Sequence, residues 1–136
     1  MLALLAMSAG VQAGDRIWTG LVLATEEEPA KPAPGRIEQF APTLERTFGY
    51  NTFYLLGEKT KDLHDGAEDW LVPSKRIFLK ATVLEVERTG YRLQLDLYDG
   101  AKLLVTTEAR LAKDAPLYIR GPAWGKGQLL SILAVR

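Results

Sequence analysis

The sequence predicts a mainly β protein, an antiparallel sandwich or partly open barrel of about seven strands, with one short helix near residues 42–48. Three observations carry this expectation. Ile77, Leu79, Ala81 and Val83 alternate with Arg76, Phe78, Lys80 and Thr82, and Tyr91, Leu93, Leu95 and Leu97 alternate with Arg92, Gln94 and Asp96. That period of two marks strands with one wet face. Asp99-Gly100 then supplies the positive-φ residues of a tight hairpin. Apolar runs also recur between short turn segments, with almost no helical periodicity.

In chain order, Met1 to Ala13 reads MLALLAMSAGVQA, uncharged and too short to span a bilayer. Val11-Gln12-Ala13 fits the small-x-small pattern of a signal-peptidase site, so residues 1–13 are expected to be a signal peptide. An export signal of this type opens on Lys or Arg, which this segment lacks, so the reading has its start upstream or clipped. The rival reading is a buried amphipathic N-terminal helix. Residues 14–24 hold a first strand, RIWTGLVLA from Arg16 to Ala24. Residues 25–35, TEEEPAKPAPG, contain three prolines and three consecutive glutamates, and read as a solvated, extended linker. The first strand is then either a returning sheet member or an arm.

Residues 36–136 read as one β-rich domain. Pro42 suits a first helical turn, Leu44, Thr47 and Phe48 share a face, and Gly49 is a natural stop. The helix either starts at Pro42 or begins near Ile37 and bends there. Strands follow at Asn51–Gly57, Trp70–Val72 (ended by Pro73), Ile77–Val83, Tyr91–Leu97, Lys102–Ala109, Pro116–Arg120 and Gln128–Val135.

Composition narrows the chemistry. The 136 residues carry 17 basic and 17 acidic groups, one histidine and no cysteine, with 47% hydrophobic residues. A chain of this size buries roughly two-thirds of its unfolded surface, enough to fold without metal or disulfide. Lack of cysteine removes thiolate zinc sites, iron–sulfur clusters and thiol nucleophiles, and one histidine removes any two-imidazole site. Zero net charge argues against a nucleic-acid partner. Charge is nonetheless segregated: residues 14–69 carry six basic against eleven acidic groups, and residues 70–136 the reverse. Complementary halves folding together or exposing mixed solvated faces explain this, with a polar surface that selects a charged partner as the rival.

Several motifs invite chemistry. GPAWGKG, Gly121 to Gly127, is one residue short of a phosphate loop, lacks the Ser or Thr after Lys126, and precedes a strand. It reads as a loop between strands, with Trp124 either folded over a sheet edge or exposed between Arg120 and Lys126 as a binding hot spot. Arg120, Trp124 and Lys126 are therefore the candidate binding residues. His64 beside Asp65 begins an acid–base pair, but no nucleophile elbow accompanies it and KDLHDG looks like a polar turn. Asp62, Asp65, Glu68 and Asp69 lack the alternating spacing of a calcium loop. Phe48, Tyr50, Phe53, Tyr54, Trp70 and Phe78 read as core, with a ring-lined ligand groove as the rival. No catalytic residue, metal ligand or cofactor motif is assigned.

WLVPSKRIFLK (Trp70 to Lys80), PLYIRGPAWGKGQLL (Pro116 to Leu130) and FGYNTFYLLG (Phe48 to Gly57) together resemble a group of small exported bacterial β-rich proteins of unassigned function. The resemblance spans roughly Ile37 to the C-terminus. It implies a signal sequence and a β-rich domain, and brings no functional residues with it.

The expectation is a non-catalytic periplasmic or secreted bacterial β-domain that binds another protein, in an envelope assembly, with no membrane span after signal removal. A small-ligand carrier with an interior pocket is the alternative, and a carboxylate-based hydrolase ranks behind it. Oligomeric state is left open.

Overall fold

The computed structural model describes residues 15–64, 66, 68–70 and 76–136. Eight strands and one α-helix lie within these residues: β1 (Arg16–Thr25), α1 (Ala41–Phe48), β2 (Thr52–Asp62), β3 (Glu68–Trp70), β4 (Ile77–Glu87), β5 (Gly90–Asp99), β6 (Lys102–Ala112), β7 (Leu117–Trp124) and β8 (Gly127–Val135). Residues 1–14, on which the signal-peptide expectation falls, Asp65, Ala67 and residues 71–75, which include Pro73, lie outside the described residues.

The strands form two four-stranded antiparallel sheets, ordered β2-β1-β8-β7 and β3-β4-β5-β6. The fold class and the short helix thus stand as expected, with two open sheets and eight described strands. The alternating residues of β4 and β5 supply the floor of the core. Ile77, Leu79, Ala81, Val83, Leu93, Leu95 and Leu97 pack against Ile17, Leu21, Leu129 and Leu133 of the facing sheet. Burying a large aliphatic side chain in this way contributes about 1.5–3 kcal/mol.

β1 is a full sheet member, and a central one. Ile17 and Leu21 enter the inter-sheet core, while Trp18, Val22 and Ala24 enter a second cluster on the opposite face. Ile37, Phe40 and Leu44 cap that face, so this sheet is buried on both sides. A strand covered on both faces reads as a continuous apolar run, which RIWTGLVLA is.

The helix runs as foreseen, preceded by a 3-10 turn at Glu38–Phe40. Pro42 lies in its first turn, and Gly49 closes it at φ 84°, donating its N–H to Glu45 O at 2.9 Å. Only Leu44 of α1 is buried; Thr47 is exposed and Phe48 half-buried, so the docking face is narrower than the spacing implied.

Residues 26–35 are mostly exposed and free of regular structure, as a solvated linker should be, yet they are tied to β2. Asn51 accepts from Glu27 N–H and donates to Glu27 O, both at 2.9 Å, and Tyr54 OH donates to Glu27 Oε2 at 2.5 Å. Lys31 N–H donates to Thr52 Oγ1 at 3.1 Å. Tyr54 and Thr25 together hold the Glu27 carboxyl below its ordinary pKa.

Two turns shift from their sequence positions. The β5–β6 hairpin turns at Gly100 and Ala101, one residue later than Asp99-Gly100, because Asp99 still pairs with Lys102. GPAWGKG is mostly strand: β7 continues to Trp124, and Gly125-Lys126 alone form the turn, Gly125 at φ 61°. Pro122 falls in a register break between Arg120 and Ala123, on an edge strand, where a missing N–H is tolerated.

Candidate interaction surface

β6 is an edge strand, paired with β5 on one side. Every residue from Lys102 to Glu108 is exposed, on both faces of the strand. Leu103 is 50% exposed, Leu104 38% and Val105 42%. The paired stretch of β5 is different, since Leu95 and Leu97 opposite Thr107 and Val105 are buried. Facing coverage therefore ends at β5 along this half, and resumes over Ala109 and Leu111 farther on. A register break between Leu97 and Tyr98 leaves Leu104 without a cross-strand partner. An apolar edge of this kind offers free backbone donors and acceptors to an incoming strand.

Trp124 stands at the same end of the sandwich. Its ring lies 4.9 Å from the Arg76 guanidinium. Arg76 Nε and Nη2 donate to the two oxygens of Asp99 at 2.7 and 3.0 Å, and Asp99 pairs in register with Lys102. This fork holds the Asp99 carboxyl below its ordinary pKa. Trp124, at 37% exposed, is thus linked through Arg76 and Asp99 to the start of β6.

Of the three residues singled out in the sequence, two share this end. Lys126 is exposed in the hairpin turn beside Trp124. Arg120 lies apart: its guanidinium sits 5.1 Å from the Phe48 ring of α1 and donates to Gln128 Oε1 at 3.0 Å. Four residues apart in an unbroken strand, Arg120 and Trp124 would share a face. The break at Gly121-Pro122 shifts that parity, so one meets the helix and the other meets the facing sheet.

The remaining sequence candidates scatter. His64 is exposed after β2, and its companion Asp65 is outside the described residues. Asp62 pairs with Arg16 at 3.3 Å and Glu68 with Lys80 at 3.3 Å, so these two acids face different cations. Among the described residues no three His, Asp or Glu side chains form a metal-holding group, and no helix is long and apolar enough to cross a membrane. Phe53 is core as expected, Phe48 and Tyr50 flank the second cluster, and Phe78 is half-buried. Trp18 and Phe40, stacked at 5.8 Å, form the aromatic centre of that cluster.

At the opposite end of the sandwich, Asp15 joins the two sheets. Tyr91 OH donates to Asp15 Oδ2, and Lys113 Nζ lies 3.2 Å from the same oxygen. The tyrosine's hydrogen bond, aided by Lys113, holds the Asp15 carboxyl below its ordinary value; burial, then Asp15, pushes the Tyr91 hydroxyl up. Tyr91 thereby stays a neutral donor, and the group is a clamp. No protein-family model, curated protein or solved structure matches the chain.

Proposed function

We propose that this is an exported, non-catalytic β-domain that binds another protein, in a bacterial envelope assembly, by accepting an extended segment of its partner along β6. One observation carries the reading: seven consecutive exposed residues on an edge strand, with Leu103, Leu104 and Val105 in its middle. Strand addition draws affinity from main-chain hydrogen bonds and specificity from alternate side chains. Lys102 and Glu108 bracket the apolar run, the placement of charge that restrains indiscriminate edge pairing. Trp124 and Lys126 supply a side-chain anchor at the end where β6 begins. Export is supported by the MLALLAMSAGVQA pattern. The carrier with an interior pocket has less support, because side chains of both sheets form one contiguous buried cluster between them.

The test is capture from the native envelope fraction, with in-cell crosslinking and mass spectrometry. A stoichiometric partner crosslinked within residues 102–108 is expected. Val105→Lys should abolish capture without altering the unfolding midpoint, since a charge on an open edge blocks strand addition. Trp124→Ala should weaken capture and leave the fold intact. Recovery of the protein alone, or crosslinks confined to other strands, overturns the reading.

A further inference from the structure

At the far end of the sandwich from β6's exposed half, three arginines converge on one groove of about 430 Å³. We infer that this groove binds a small oxyanion-bearing ligand, a carboxylate or a phosphate ester.

Arg16 opens β1 and Arg136 follows β8, and their backbones bond to each other in both directions, at 2.8 and 3.4 Å. They are therefore directly opposite residues, whose side chains emerge on the same face. Like charges in that position are destabilising. The connector before α1 adds Arg36 to the same groove. Two of the three cations have carboxylate partners: Arg16 lies 3.3 Å from Asp62, and Arg36 donates from Nε to Glu58 at 3.2 Å. Glu58 is further engaged by the Trp18 indole N–H at 2.8 Å. Arg136 makes no ion pair within 4 Å among the described residues and acts on Glu58 at longer range; its guanidinium rests 5.2 Å from the Trp18 ring. Three guanidiniums thus share the carboxylates of Asp62 and Glu58, and an anion in the groove would relieve the Arg16–Arg136 opposition.

The floor is built in advance. The indole of Trp18 lies along its own strand because Gly20 has no side chain: a Cβ there would stand 2.5 Å from Cη2. Phe40 stacks on the indole at 5.8 Å, and Trp18 is almost wholly buried. Gln39 and Thr60 add uncharged polar groups to the lining. A rigid aromatic floor beneath planar guanidinium forks matches the bidentate geometry of carboxylate and phosphate. The volume lies within the range of small-molecule sites. None of these residues belongs to the β6 surface, so this inference stands independently of the protein-binding reading.

The full chain is titrated with inorganic phosphate and, separately, with citrate, at matched ionic strength. Binding is followed by calorimetry and by the indole N–H resonance of Trp18. Saturable binding that weakens with added salt and moves that resonance is expected. Arg136→Gln should weaken it roughly tenfold or more, as loss of a charged hydrogen-bonding partner does. The same variant should keep or raise the unfolding midpoint, since it removes a like-charge opposition. Lys80→Gln, on β4 of the facing sheet and outside the groove, should bind as the parent does. A response to phosphate alone assigns a phosphate ester, and one to citrate alone a carboxylate. Three outcomes overturn the proposal: no saturable binding of either probe, parental affinity in Arg136→Gln, or a lowered midpoint in that variant, which would make Arg136 a structural clamp on Trp18.

Discussion

β5 and β6 are neighbours in one sheet, paired along almost their whole length, yet they live in different solvents. Tyr91, Leu93, Leu95 and Leu97 of β5 are at most 3% exposed, while Lys102 to Glu108 of β6 all face water. Backbone pairing therefore places a strand without burying it. What separates the two is coverage by the facing sheet, which ends one strand short of the edge along that half. The bulge at Leu104 adds to the divergence by interrupting register where the hairpin begins. Burial on β5 serves stability, and exposure on β6 leaves apolar surface uncovered.

Substitutions on facing positions would break or sharpen this contrast. Leu97 and Val105 are register partners on the same face. Leu97→Ala should cost about 2–5 kcal/mol in urea unfolding, through lost transfer energy and a residual cavity. A value near that of a surface change would mean that β5 is not the floor of the core. The clamp at the other end of β5 comes next. Asp15→Asn should cost about 1 kcal/mol at neutral pH. The sign with pH follows from the lowered carboxyl value of Asp15. Its contribution is complete above the unfolded value near 3.9 and fades as pH falls through the folded one. The parent and Asp15→Asn midpoints should therefore converge in acid; a constant gap from pH 7 to pH 2 would remove the ionised clamp.

Across the β5–β6 seam, Thr106 Oγ1 donates to Asp96 Oδ1 at 2.8 Å, and Asp96 is only 7% exposed. Thr106→Val should cost about 1 kcal/mol or slightly less, because water reaches this edge and replaces part of the bond. A loss above that of Asp15→Asn would show that the edge is held more tightly than its exposure implies. Smallest of all, Val105→Ala should change stability by less than about 0.5 kcal/mol, the scale of surface substitutions. The Leu97 and Val105 results together measure what coverage adds to pairing; similar losses would erase the distinction between the strands.

Much of the scaffold was legible from residues. Alternation in β4 and β5 marked the inward faces, and a Pro-to-Gly span marked α1. The unbroken apolar run of β1 carried a signal for burial on both faces that alternation alone would not detect. The exposed edge at β6 was less legible. KLLVTTE reads like any half-buried strand, since its apolar residues are exposed only because the facing sheet stops short. Arg120 and Trp124 looked like one site because they flank a short loop in the sequence, and the strand that runs through it carries a register break that sends them to opposite faces. The arginine groove was hidden for a different reason: Arg16, Arg36 and Arg136 span almost the whole described chain and meet through sheet order.

By itself the sequence determined the periodicities, and with them which segments are strands, where the helix stops and which side chains turn inward. These are local consequences of side-chain alternation, of proline and of glycine, so they can be read within a few residues. Tertiary structure decided the strand order that puts β1 at the centre, the coverage that leaves half of β6 bare, and the convergence of three guanidiniums at one end. Those depend on pairings between residues far apart in the chain, where burial is set by what a neighbouring element covers rather than by the strand's own pattern.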